Sequence, residues 1–261
     1  MKILAIGNSF SQDATAYLQP MAAAGGRAAE VVNLFIPGCS LETHWRCALD
    51  GQPAYSWQRD GLDTGRMVSL RGALSGQEWD AVTMQQASSL SGRLETYAPY
   101  LAELCGFVRA LAPHARLYLH ETWAYEADSD HGAFPAYHSN QNEMYIRLKD
   151  AYTAASASLG LPLIPSGDVI QALRGTEAFC YAKGGPSLCR DGFHLDLLYG
   201  RYAAAAVWYE SLLGGDIRQN PFVPSRETAP AAPEDAQVDP ALLALIRETV
   251  HAMAGGVQAG R

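Results

Sequence analysis

Two widely separated stretches hold the residue types that could do chemistry together. One is Ser9, within Ile3-Leu4-Ala5-Ile6-Gly7-Asn8-Ser9-Phe10-Ser11; the other is Asp191-Gly192-Phe193-His194. A serine hydroxyl is a poor nucleophile at neutral pH. It needs a neutral imidazole within hydrogen-bond reach, and the imidazole needs a carboxylate to fix its tautomer. Ser9, His194 and Asp191 supply those three groups, with Asp196 as a second carboxylate near the same histidine. The placement of Ser9 suits the role. A short apolar run breaks at Gly7, a polar turn carries the serine, and a helical segment follows from Gln12 to Ala24. A serine at a strand-to-helix junction presents its hydroxyl at the carboxyl edge of a sheet, with its N–H near the positive end of the helix. Gly-Asn-Ser also makes ordinary turns, and a lone serine there would only cap the helix. The distant Asp-Gly-Phe-His block gives Ser9 its chemical reading.

These residues need a scaffold, and the chain's periodicity describes one. Lys2 to Ile6, Glu30 to Phe35, Trp79 to Met84, Arg116 to His120 and Leu161 to Ile164 are short apolar runs that fit buried strands. Between them Tyr97, Leu101, Leu104, Val108 and Leu111 follow the 3.6-residue period, as do Tyr145, Leu148, Tyr152, Ala155 and Leu159. Strands alternating with helices predict an α/β fold, a three-layer α/β/α sandwich on a five-stranded parallel sheet of flavodoxin-like order 2-1-3-4-5. Polar residues follow each strand where such sheets bind ligands: Asn8 and Ser9, Pro37-Gly38-Cys39-Ser40, Gln85-Gln86-Ala87-Ser88, and Glu121-Thr122-Trp123. Between Cys39 and Glu78 the sequence predicts a short helix near Glu42 to Leu49, then a hairpin or irregular loop carrying Tyr55, Trp57, Met67, Val68 and Leu70. A helical pattern also spans Tyr199 to Leu213. We expect one domain over 1–261, with a Pro/Ala-rich strap at 216–238. A last helix at 239–254, capped by Asp239 with Pro240 at its first position, packs on the body.

Composition narrows the function. At 261 residues and 48% hydrophobic, the chain can bury a sizeable core, and none of its apolar runs approaches the ~20 residues that span a bilayer. A net charge of −8 argues against nucleic acid or an anionic membrane as the main partner. Cys39, Cys47, Cys105, Cys180 and Cys189 form an odd set without Cys-x-x-Cys spacing, which fits reduced thiols, although Cys180 and Cys189 could clip a loop. With no secretory leader in view, a cytoplasmic location is the expectation. His120, Glu121, Asp128, Asp130, His131 and His138 match no zinc spacing, and the glycines match no phosphate or dinucleotide loop, so no metal or cofactor is expected.

From Lys2 to about Gly214 the chain resembles the SGNH (GDSL-type) hydrolases. The resemblance is to a branch with a Gly-Asn-Ser-Phe-Ser start, related to sialate O-acetylesterase-like carbohydrate esterases. It is carried by Gly7-Asn8-Ser9-Phe10-Ser11, Pro37-Gly38, Gln85-Gln86-Ala87-Ser88, Thr122-Trp123-Ala124-Tyr125 and Asp191-Gly192-Phe193-His194-Leu195. It implies Ser9 as nucleophile, His194 as base and Asp191 as its orienting acid. The oxyanion hole would be built from the N–H groups of Ser9 and Gly38 and a side-chain amide. The family's usual Asp of the first block is Asn8 here, at a position that is not catalytic. The usual asparagine of the third block is absent, and Gln85, with Gln86 as the alternative, replaces it. His44, Trp45, Trp123 and Tyr125 are candidates to line a sugar cleft, or equally to be buried under long loops. The implied activity is hydrolysis of short acyl esters, acetyl above all, on a carbohydrate. Alternatives on the same fold are an acyltransferase, a thioesterase or a non-catalytic carbohydrate-binding relative.

Overall fold

The apolar runs assemble into one seven-stranded sheet in the computed structural model, which describes residues 1–225, 227–229, 231–232 and 237–255. In chain order the first half forms β1 (Lys2–Gly7), α1 (Ser9–Thr15), α2 (Leu18–Ala24), β2 (Glu30–Phe35), α3 (Leu41–Asp50), β3 (Tyr55–Arg59), β4 (Leu62–Val68), α4 (Leu70–Ser75) and β5 (Ala81–Met84). The second half adds α5 (Tyr100–Leu111), β6 (Arg116–His120), α6 (Gln141–Leu159), β7 (Leu163–Ile164), α7 (Ser166–Arg174), α8 (Tyr199–Leu213) and α9 (Pro240–Ala254).

The spatial order is β4-β3-β2-β1-β5-β6-β7. Strands β2, β1, β5, β6 and β7 run parallel, with Leu4 of β1 between Val32 and Val82. All their carboxyl ends therefore lie on one edge. Strand β1 is buried from Ile3 to Gly7, which explains its unbroken apolar run: both faces of the sheet are covered by helices. Helices α3, α4 and α5 pack as one group; α1, α2, α7 and α9 gather around α8.

Seven strands replace the expected five because the region after α3 forms a hairpin. Strands β3 and β4 pair antiparallel, and β3 extends the sheet antiparallel to β2, placing Trp57 opposite Leu34. Its turn is Asp60-Gly61, with φ of 50° and 73°. That is the left-handed signature of the tight hairpin turn favoured by Asp-Gly. Edge strand β4 is exposed up to Val68 and carries Asp63 and Arg66, charges that discourage pairing with another sheet. The first helix also differs from the expected Gln12 to Ala24: it begins at Ser9 and breaks at Ala16-Tyr17. Pro20 has no N–H to offer the Ala16 carbonyl and its ring crowds that carbonyl, so α2 must start afresh.

Beyond α8 the chain crosses back over the body. Asn220 donates its side-chain N–H to the Met21 carbonyl at 2.9 Å, and the Phe222 ring lies parallel to Tyr202. Asp239 donates its N–H to the Tyr199 hydroxyl at 2.8 Å and caps α9, whose Leu243, Ile246, Val250 and Ala254 are buried. Positions 226, 230 and 233–236 of the expected strap lie outside the described residues. The Cys180–Cys189 clip is not formed; Cys189 Sγ instead accepts from the buried Arg174 guanidinium at 3.3 Å. Among the described residues no helix is long and apolar enough to cross a membrane.

Candidate active site

The corner between β1 and α1 is shaped by close packing. A Cβ on Gly7 would sit 2.0 Å from Ser11 Oγ, so only glycine fits there. Asn8 caps α1: its Oδ1 accepts the N–H of Phe10 at 3.0 Å, and Ser11 Oγ accepts the N–H of Asn8 at 3.0 Å in a reciprocal capping box that also engages the Ser11 N–H. The helix-start amide left over is that of Ser9, whose side chain is half-buried on the carboxyl edge of the sheet.

Asp191 and His194 meet directly. Asp191 Oδ2 accepts from His194 Nδ1 at 2.7 Å, while Oδ1 accepts the N–H groups of His194 (2.8 Å) and Phe193 (3.3 Å). With Nδ1 committed as a donor, Nε2 is the nitrogen that can take a proton. Burial pushes the Asp191 carboxyl upward, but the hydrogen bonds and charge of His194 outweigh it and hold the group below the usual carboxylate value. Gly192 turns the loop at φ 82°, with Ser129 tight behind it.

Residues from α1 hold this loop against that helix. Asp13, fully buried, accepts the Leu195 N–H at 2.9 Å and carries ion pairs to Arg190 (3.0 Å) and Arg201 (2.8 Å). Phe10, next to Ser9, stacks on Trp123 at 4.4 Å and lies 6.1 Å from the His194 ring. Trp123 donates its indole N–H to the Phe193 carbonyl at 2.8 Å. Asp196 is not the partner of His194: its carboxylate accepts the N–H groups of Leu198, Tyr199 and Gly200 at the start of α8, and burial raises its pKa.

The candidate oxyanion donors are placed unevenly. Gly38 turns at φ 59° on an exposed bend after β2, joined to the Ser9 corner by Asn8 Nδ2, which donates to the Cys39 carbonyl at 3.0 Å. Gln85 donates Nε2 to Asn8 Oδ1 at 2.9 Å and accepts from His120 Nδ1 at 2.7 Å. Gln86 faces elsewhere. Its Nε2 donates to the Thr96 carbonyl and hydroxyl, and its Oε1 accepts the Leu41 and Ala87 N–H groups. Both of its amide hydrogens are thus occupied, which removes it as the alternative donor.

The family model described as "Domain of unknown function (DUF4886)" matches residues 2–238. The chain belongs to the DUF4886 family. A crystal structure of a DUF4886 protein from Bacteroides uniformis is similar at 36% identity and TM-score 0.84, covering 97% of this chain and 93% of that one. More distant likenesses share the fold. A protein from Slackia heliotrinireducens assigned to the SGNH hydrolases matches at 23% identity and TM-score 0.55 over 80% of this chain and 97% of its own. An acetylxylan esterase from Geobacillus stearothermophilus matches at 13% and 0.52 over 80% and 92%. No curated protein matches this chain.

In this DUF4886 chain three of the residues expected around a cleft, His44, Trp123 and Tyr125, are buried, and Trp45 is half-buried. His44 is buried, its Nδ1 3.0 Å from the Tyr55 hydroxyl, and burial drives its pKa down to about 3. Trp45 packs edge-on against Phe107 of α5, at 6.3 Å. Trp123 and Tyr125 are both fully buried beneath the His194 loop, where Tyr125 packs edge-on against Phe193 at 5.9 Å. They support the loop. Beside it lies His131, which the sequence offered only as a possible metal ligand and not as part of this site; it is half-buried, with its ring 4.8 Å from Phe193. Burial and the His194 charge lower its pKa. Asp13, Arg190 and Arg201 were also missed, although Arg190 adjoins Asp191 and Asp13 lies one helical turn after Ser9. Among the described residues, Glu210, Asp216 and His251 bring possible metal ligands together, at the far end of α8. There Asp216 is already paired with Arg218 at 2.8 Å, and Glu210 accepts the Ile217 N–H.

Proposed function

We propose that this chain is a serine esterase that hydrolyses short-chain esters, acetyl on a carbohydrate being the preferred class. The observation that carries the reading is the 2.7 Å Asp191–His194 couple, drawn against α1 by Asp13 and Phe10. In the proposed reaction, Ser9 Oγ gives its proton to His194 Nε2 and attacks the ester carbonyl. The N–H groups of Ser9 and Gly38, with the Gln85 amide, receive the oxyanion. Collapse breaks the C–O bond, and the imidazolium returns its proton to the leaving alkoxide. Water, activated by the same imidazole, then releases the acid and frees Ser9. Asp191 keeps the imidazole in the required tautomer and supports its charge. The sandwich shared with an acetylxylan esterase supports the acetyl-sugar preference at the level of fold.

The test is labelling with a fluorophosphonate probe, followed by acetate release from a panel of acetylated oligosaccharides. An adduct on Ser9 with acetate release supports the reading. A folded protein that forms no adduct on Ser9 overturns it.

A further inference from the structure

The carboxyl edge of the sheet holds a buried chain of side-chain hydrogen bonds that the proposed chemistry does not use. Its direction can be worked out from one backbone amide. The Phe10 N–H can only donate, so Asn8 Oδ1 is an acceptor. The Gln85 atom facing Asn8 Oδ1 at 2.9 Å must then be the amide nitrogen, which turns Gln85 Oε1 toward His120. His120 Nδ1, 2.7 Å from that oxygen, must therefore carry a hydrogen. Burial keeps the imidazole neutral, with its pKa near 3, so Nε2 accepts from the Ser166 hydroxyl at 3.0 Å. At the other end Asn8 Nδ2 donates to the Cys39 carbonyl at 3.0 Å. Every bond donates in the same sense, from the start of α7 through the ends of β6, β5 and β1 to the bend after β2. Ser166, His120, Gln85 and Asn8 are each at most 1% exposed. The ring of Trp208 holds the His120 imidazole edge to face at 4.9 Å.

We infer that His120 is a positioning residue for the oxyanion hole: its Nδ1–H fixes which way the Gln85 carboxamide faces and so presents an amide hydrogen beside Ser9. Gln85 Nε2 has two hydrogens, and Asn8 takes one. No acceptor among the described residues takes the second. Were the carboxamide reversed, Gln85 would turn an oxygen toward both Asn8 Oδ1 and a substrate oxyanion, repelling each. The polarity set at His120 excludes that arrangement. Donors of this kind act by being aligned before charge develops, so fixing one amide's direction raises turnover and leaves ground-state binding almost unchanged. The same chain holds Asn8 and Cys39, the residues adjoining Ser9 and Gly38.

The inference rests on the esterase reading, and a double-mutant cycle tests it separately. On p-nitrophenyl acetate, with active sites counted by fluorophosphonate titration, His120→Leu lowers kcat per labelled site about 10- to 100-fold with KM within twofold. His120→Asn, which keeps an N–H near the Nδ1 position, restores most of that loss. Gln85→Leu lowers kcat similarly, and adding His120→Leu to it costs little more. A loss that adds fully across the two sites, or an unchanged kcat per labelled site in His120→Leu, overturns the inference while leaving the esterase reading in place. Loss of that reading shows as turnover that survives Ser9→Ala. Should the variants fail to fold, nitrogen-15 histidine spectra of the unaltered protein decide: a neutral Nδ1–H tautomer at His120 supports the inference, and the Nε2–H tautomer overturns it.

Discussion

The two sides of the candidate site are built by opposite means. The proposed oxyanion side, apart from the exposed Gly38 bend, is interior: Asn8, Gln85 and His120 are nearly inaccessible, and their side-chain polar atoms are all hydrogen-bonded. The acid–base side is a surface loop, where the side chains of Asp191 and His194 remain 42% and 21% exposed. That loop holds its shape through the Asp191 turn and through a brace to Asp13 on α1. The difference follows the chemistry. Oxyanion donors must be aligned before charge develops and gain from low dielectric, whereas an imidazole that shuttles protons to water has to reach solvent.

The largest effect should come from the residue where the two sides meet. Ser9→Ala is expected to lower p-nitrophenyl acetate turnover by ~10⁴-fold or more, with unfolding free energy within ~0.5 kcal/mol of the parent, read by kinetics and urea titration. Breaking the brace should cost stability as well as rate. Asp13→Ala leaves Arg190 and Arg201 without their buried anion, and we expect a loss of ~2–4 kcal/mol in urea unfolding, moderated because both arginines keep some contact with water. An Asp13→Ala protein as stable and active as the parent would show that the loop stands without α1.

The interior side should reveal itself through pH. Glu121, beside His120, is pushed up to about 8 by burial, with the Asp168 charge adding to it. It stays protonated when folded at pH values where the unfolded chain has already ionised it. The folded state therefore binds more protons between about 4.5 and 8, and its stability falls as pH rises through that window. Glu121→Gln should remove this slope, matching the parent near pH 5 and exceeding it near pH 8 in thermal melts. The smallest effect is expected at Trp45, which packs on α5: Trp45→Phe should leave kcat and KM for an acetylated oligosaccharide within twofold.

The parts of this arrangement that were legible in the sequence are the local ones. Asp191 and His194 are three residues apart, and a turn that binds its own backbone brings them together without help from the rest of the chain. Strand β1 announced itself because burial on both faces leaves an unbroken apolar run. The hairpin was only half legible, although Asp60-Gly61 carried the signal for its turn. Other features depended on distant partners. Asp13 reads as one polar residue on a short helix until Arg190, Arg201 and Leu195 are folded against it. Gln85 and Gln86 are the same residue type one position apart, and only their neighbours, Asn8 and His120 against Thr96 and Leu41, separate their roles. Trp123 and Tyr125 follow a strand, where cleft residues gather, but the Phe193 loop closes over them.

The capping of α1 also has a bearing on which inhibitors could work. Because Asn8 and its capping box engage the amides of Phe10 and Ser11, the corner can offer an incoming anion only the Ser9 amide from the helix start. On the esterase reading, free phosphate or sulfate gains only that one helix-start amide and should compete weakly with substrate at millimolar concentration. On the same reading, a trigonal boronic acid bonds to the Ser9 oxygen itself and sets a hydroxyl where the oxyanion would sit, so compounds of that shape are the better starting point for blocking this protein.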